Sequence, residues 1–184
     1  THLMAFTEVR TDPLTGVRNR RALDEVLAGM FAMKTRYDQD FSIVIFDIDH
    51  FKRVNDEQGH LNGDRVLRTF ATLLNDSVRE TDVVARYGGE EFVIIMPQTD
   101  LERASTFCER LRAMVERNAI VDIKVTVSGG VATAHDGDDV QSLLNRADEA
   151  LYHAKENGRN RIYRHDGTHI DPVQVDVAQV EVSA

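Results

Sequence analysis

A single cysteine, Cys108, stands among the 184 residues, so a disulfide within the chain is excluded. That usage fits a reducing compartment, and a cytoplasmic location is the expectation. Cys108 falls in a helical pattern with Phe107, Leu111 and Met114. A small side chain on a buried or half-buried face is expected there, because no activating partner stands near it in the sequence. Long hydrophobic runs are lacking too. No apolar stretch approaches the ~18 residues of a bilayer span and no leader pattern is visible, so no membrane insertion is expected of this segment. Internal repeats and low-complexity blocks are absent. Basic charge is the minority: 22 Lys and Arg stand against 31 Asp and Glu, a net charge of −9. Proteins that track a nucleic-acid backbone carry a basic footprint, and this composition argues against that class. A nucleotide ligand is still allowed, since a metal ion and a few placed cations can hold phosphates locally.

What is present is ordinary for one globular domain, with 42% hydrophobic and 29% charged residues. A chain of this length can bury a core without disulfides or structural metal. The hydrophobic period alternates between helical and extended, which predicts an α/β or α+β layer fold. Leu23, Val26, Leu27, Met30 and Phe31 mark one helix, and Val66, Leu67, Phe70, Leu73, Leu74 and Val78 a second. Residues 101–117 and 143–154 read as two more, with Gly158 where a C-terminal glycine cap is expected. Residues 41–49 (FSIVIFDID) form a nearly continuous apolar run, the mark of a strand covered on both faces. Short strands are predicted at 82–87 and 91–96, joined at Gly88, Gly89 and Glu90, where glycines would accept the positive φ of a tight turn. Residues 124–133 read as a strand with a glycine bulge or a close backbone approach, and 161–163 as a last short strand. Beyond Arg164 the alternation of Val173, Val175 and Val177 has strand period, but a loose tail is the preferred reading.

The sharpest feature is Asp47-Ile48-Asp49 at the end of the buried strand. Aspartate is costly inside a sheet unless partnered. Strand alternation puts Asp47 and Asp49 on one face. A second acidic pair, Glu90 and Glu91, follows the Gly-Gly turn. Carboxylates from two neighbouring strand ends would make an oxygen-rich site suited to magnesium, and metal-assisted phosphoryl or nucleotidyl transfer is the chemistry implied.

Arg86-Tyr87-Gly88-Gly89-Glu90-Glu91-Phe92 resembles the signature of GGDEF-domain diguanylate cyclases in its GGEEF form. The likeness extends through Asp12-Pro13-Leu14-Thr15-Gly16 with Asn19-Arg20-Arg21, and through Phe46-Asp47-Ile48-Asp49 with Phe51-Lys52 and Asn55-Asp56. It continues at Gly59-His60, Gly63-Asp64, Ala154-Lys155 and Gly158-Arg159-Asn160. The resemblance implies a palm-like or ferredoxin-like, mostly antiparallel sheet flanked by helices. It also implies condensation of two GTP into cyclic di-GMP and pyrophosphate by two protomers facing each other. Asp47, Glu90 and Glu91, with the Ile48 carbonyl, would hold two Mg2+ ions, Mn2+ being the alternative. Glu90, Glu91 and Lys52 would serve the reacting centre. Phe51, Lys52, Asn55, His60, Asp64, Lys155 and Arg159 would bind GTP, with Asn55 and Asp64 reading guanine. A carboxylate accepting from guanine N1 and N2 would be left unpaired by adenine. Taken by themselves, Asn55 and Asp64 could equally be helix caps. Lys155 and Arg159, spaced i, i+4, could share one helix face if the helix reaches that far.

Arg79-Glu80-Thr81-Asp82 has the Arg-x-x-Asp form of the family's product-inhibition site, and Arg110 on the following helix is a third member. The other reading is a surface ion pair. The resemblance further implies an upstream regulatory domain in the full-length protein, joined through an opening segment of structural role. Residues 1–11 read as an upstream linker or appended segment, 12–165 as the catalytic domain and 166–184 as tail. Two other readings are a module that only senses GTP or cyclic di-GMP, and a different nucleotide cyclase or polymerase-like palm.

Overall fold

The computed structural model describes residues 9–175. Six strands form one sheet: β1 (Phe41–Ile48), β2 (Val83–Arg86), β3 (Glu91–Pro97), β4 (Val127–Thr133), β5 (Ile162–His165) and β6 (Ile170–Pro172). Their order is β2-β3-β1-β4-β5-β6. Among the described strands, β4–β5 pair in parallel and the other four pairs are antiparallel, so the mostly antiparallel sheet expected from the sequence is present.

Five helices cover both faces: α1 (Arg20–Tyr37), α2 (Phe51–Gln58), α3 (His60–Ser77), α4 (Leu101–Arg117) and α5 (Val140–Glu156). Odd-numbered residues of β1 (Phe41, Ile43, Ile45) pack with Leu23 and Leu27 of α1 and Leu144, Ala147 and Leu151 of α5. Even-numbered ones (Val44, Phe46, Ile48) pack with Val54 of α2, Phe70 of α3 and Cys108 and Leu111 of α4. All eight residues of β1 are buried, as its unbroken apolar run predicts. Cys108 is fully buried, and burial pushes its thiol well above the ordinary range, so it is inert packing.

Start signals are local. Asn19 and Asp100 cap α1 and α4 through their side chains, and Asp139 with Ser142 makes a capping box on α5. α2 differs: His50 precedes it in the left-handed region and gives no side-chain cap.

Several expectations are revised. Residues 51–58 form a helix of their own, split from α3 only by Gly59 at φ 83°. Asn55 therefore sits inside α2 and Asp64 inside α3, and neither caps a helix. Gly88 and Gly89 do not take positive φ; a Cβ on Gly88 would lie 3.2 Å from Glu91 Oε2, whereas Gly89 faces open space. The strand predicted from residue 124 begins at Val127, paired with Ile48, the last residue of β1. Its glycines mark close approach and no bulge, since pairing with β1 runs unbroken. A Cβ on Gly130 would lie 2.1 Å from the Ala147 carbonyl and 2.3 Å from Leu151 N. Part of the expected tail is structured: β6 pairs with β5, and Val173 N donates to the Ile162 carbonyl. Val177 lies outside the described residues. Thr11 bridges Arg18, so part of the expected linker belongs to the opening turn.

Candidate active site at the ends of β1 and β3

The register of β1 on β3 sets Asp47 opposite Glu91. Directly opposed residues project to the same face with Cβ atoms about 5 Å apart. Asp47 continues the odd-numbered series of β1, so the pair lies on the α1/α5 side, where Lys155 of α5 donates to Asp47 Oδ2 at 2.6 Å. Burial raises the Asp47 carboxyl above its ordinary range; Lys155 opposes the rise, and Glu90 and Asp49 add to it. Glu91 is raised by burial first and by Asp47 next, with Lys155 again opposing. The strand ends thus concentrate negative charge that one ammonium only partly balances.

This donor set fits a small divalent cation completed by a ligand. Among the described residues no three His, Cys, Asp or Glu side chains form a metal cage. Magnesium ordinarily takes one or two carboxylates plus water and substrate phosphates, so two opposed carboxylates suit it better than a closed cage would. Ile48 N donates to the Glu90 carbonyl at 3.3 Å, which keeps the 90–91 backbone against the end of β1.

Asp49 does not join the pair. β1 ends at Ile48, and the Asp49 carboxylate accepts from Thr126 Oγ1 and Ser128 Oγ, each at 2.7 Å, and from Asn160 N at 2.9 Å. The face shared by Asp47 and Asp49 in the sequence pattern divides here into a charged site and a structural knot.

The 88–91 turn is clamped from outside. Arg86 donates to the carbonyls of Gly88 and Gly89, with Nη2 to Gly89 at 2.7 Å, and its Nη1 reaches Asp12 Oδ2 at 3.2 Å. Asp12 also accepts from Thr15 N and Oγ1. Arg20 lies 3.9 Å over the Tyr87 ring. The opening turn therefore reaches the 88–91 turn, as the structural role expected of the opening segment implies, and Asp12 with Arg86 is the ion pair that joins them.

Asn55 of α2 lies against α3 at Gly63, the residue before Asp64. A Cβ at Gly63 would fall 1.8 Å from Asn55 Oδ1, so the glycine is what lets the amide lie against α3. Phe51, expected among the GTP-binding residues, is buried and lies close to Gly63. Lys52 and His60 are exposed. Arg159 is not on α5: the helix ends at Glu156, Gly158 takes φ 114°, and Arg159 N donates back to the Ala154 carbonyl as in a Schellman cap. The shared helix face for Lys155 and Arg159 is thereby excluded.

Arg79, Asp82 and Arg110 line one cavity of about 240 Å³, together with Thr99, Arg103 and Phe107. Arg79 forks onto Asp82, its Nη2 at 2.9 Å from Oδ1, and reaches Thr99 Oγ1 at 2.8 Å. Arg103 and Phe107, on the same helix as Arg110, complete the lining and carried no motif of their own in the sequence.

A family model described as diguanylate cyclase, GGDEF domain, matches residues 9–161. The chain is 44% identical over 157 residues to the diguanylate cyclase DgcP of Pseudomonas aeruginosa, covering 83% of this chain and 23% of that protein. It is 45% identical over 159 residues to the response regulator PleD of Caulobacter vibrioides, covering 83% of this chain and 35% of that one. It thus spans well under half the length of either. The crystal structure of the GGDEF domain of DgcB from Caulobacter crescentus in complex with c-di-GMP superposes with a TM-score of 0.80 at 35% identity, covering 85% of this chain and 96% of that one. Sequence and architecture agree over the same stretch, and the chain belongs to the GGDEF-domain diguanylate cyclase family.

Proposed function

We propose that this domain is a diguanylate cyclase, joining two GTP molecules into cyclic di-GMP with loss of pyrophosphate. The observation that carries the reading is the pair of opposed carboxylates, buried Asp47 and half-buried Glu91, beside Lys155. Raised carboxyl pKa values mark a site whose charge wants a cation. Asp47, Glu90, Glu91 and the Ile48 carbonyl would hold Mg2+, two ions per site in this reading. The metal supplies Lewis acidity, easing alkoxide formation at the 3′-hydroxyl and neutralising charge at the α-phosphate.

The chain's own groups do the rest. Asn55 and Asp64 take the guanine edge. The first turn of α2 carries no side-chain cap, so its amides near Phe51 and Lys52 can donate to phosphate oxygens. Lys52, Lys155 and Arg159 supply cations along the triphosphate, with His60 lining the base or sugar. Glu90 stands at the reacting centre. One such set serves one GTP, so two protomers face each other about a two-fold axis. The Arg79, Asp82 and Arg110 cavity takes cyclic di-GMP and gives noncompetitive product inhibition; a c-di-GMP complex of a family GGDEF domain supports this. Residues 12–165 are proposed as the catalytic unit, and an upstream regulatory domain fits the greater length of the relatives.

Incubation with GTP and Mg2+, followed by product analysis, tests the reading, with Glu90→Ala and Glu91→Ala as controls. Cyclic di-GMP formation rising more than linearly with protein concentration is expected. GTP binding without turnover would make the domain a sensor, and a strictly linear dependence would overturn the two-protomer mechanism.

A further inference from the structure

Asp49, Asn160 and Arg112 form a run of hydrogen bonds that the proposed chemistry does not use. Asp49 is 5% exposed, and its three bonds tie the end of β1 to the approach of β4 and to the α5–β5 loop. Asn160 offers its backbone N–H to Asp49, while its side-chain Oδ1 accepts from Arg112 Nη1 at 2.9 Å. Arg112 is itself fixed on α4, its other donors taken by Glu109 and Glu116. Two separate elements therefore grip one residue of this loop.

The loop needs the grip. After Gly158, both Arg159 and Asn160 stand in the left-handed region, at φ 61° and 46°. Side chains other than glycine pay a conformational penalty there, and such residues persist where their surroundings over-determine them. The loop begins one turn beyond Lys155, whose ammonium is on Asp47, and it carries Arg159 exposed to solvent.

We infer that Asp49, Asn160 and Arg112 are positioning residues: they hold the 158–160 loop in its left-handed form so that Lys155 and Arg159 present their charges to the β- and γ-phosphates of GTP. This rests on the GTP reading above. Guanine recognition at Asn55 and Asp64 is carried by α2 and α3, and the loop by other elements, so phosphate contacts and base contacts are separable.

Asn160→Gly isolates the claim. Glycine keeps the left-handed backbone and the N–H to Asp49 but removes the side chain that joins Arg112 and Glu116 of α4. The expected result is a rise of about tenfold in the KM for GTP, the factor of one charge-assisted hydrogen bond, with kcat within about threefold of the parent. Binding of guanosine monophosphate, which lacks both distal phosphates, is expected to stay unchanged. Asn160→Asp, which keeps an acceptor and tolerates the left-handed region, is expected to restore the KM. Equal weakening of GTP and guanosine monophosphate would overturn the inference, as would an Asn160→Gly protein with parental KM. A parental protein that neither binds nor converts GTP would instead overturn the reading on which it rests.

Discussion

Replacing Glu91 by glutamine should separate stability from activity. Glu91 stands opposite Asp47, and burial and that neighbour raise its carboxyl above the ordinary 4.5. Two unit charges about 5 Å apart repel by roughly 3 kcal/mol at an effective dielectric near 20. Attraction to Lys155 and solvent screening offset most of this, leaving about 1 kcal/mol of relief in Glu91→Gln. For a domain of this size that is a gain of roughly 2–4 °C in Tm. The sign with pH follows from the raised pKa. Above it, the folded protein carries an unfavourable charge. As pH falls toward 4.5, the folded state takes up its proton before the unfolded chain does, and the penalty fades. The glutamine variant should therefore unfold later than the parent at pH 7 without divalent metal, with the gap closing near pH 4.5. Saturating Mg2+ and GTP should reverse the order, because ligand binding stabilises only the protein able to bind. Thermal unfolding by circular dichroism, beside a product assay, reads both effects. A glutamine variant less stable than the parent at pH 7, or a gap that widens in acid, would refute the reasoning.

Gly63→Ala should spare folding and damage binding: alanine improves helix propensity by up to ~1 kcal/mol, yet its methyl displaces the Asn55 amide. Thermal stability should hold or rise while the KM for GTP climbs by about tenfold, read by steady-state kinetics. Gly130→Ala should do the reverse, since the added methyl meets the backbone of α5, which cannot swing aside. A loss of about 3 kcal/mol, or roughly 6–12 °C in Tm, is expected from thermal unfolding. Arg79→Ala opens the fork onto Asp82 and should abolish inhibition by added cyclic di-GMP while leaving initial rates near the parent; unchanged inhibition in a rate assay would refute the site.

How far the sequence could be read depended on where each residue's partners lie. β1 was legible because burial on both faces leaves an unbroken apolar run. α2 was not, because eight residues with only Phe51 and Val54 buried are too few to show a helical period. β4 was predicted three residues too early. Residues 124–126 keep the alternation, but β1 ends opposite Val127 and offers them no ladder. Asp47 and Asp49 show the same limit at the site. Their spacing alone makes them equivalent; what separates them is Lys155 on one side and Thr126, Ser128 and Asn160 on the other, all far along the chain. Asn55 and Asp64 were identifiable by resemblance, but the reason Gly63 stands between them required the crossing of two helices.

The bare backbone of Gly130 has one more consequence. With no side chain between them, α5 and β4 touch main chain to main chain, leaving no rotamer whose change could let the helix slide. Lys155 thus inherits the stiffness of the sheet itself. The outward face of α5, with Tyr152 largely in solvent, can vary in shape and charge without moving the ammonium, so surface and chemistry on one helix are mechanically decoupled.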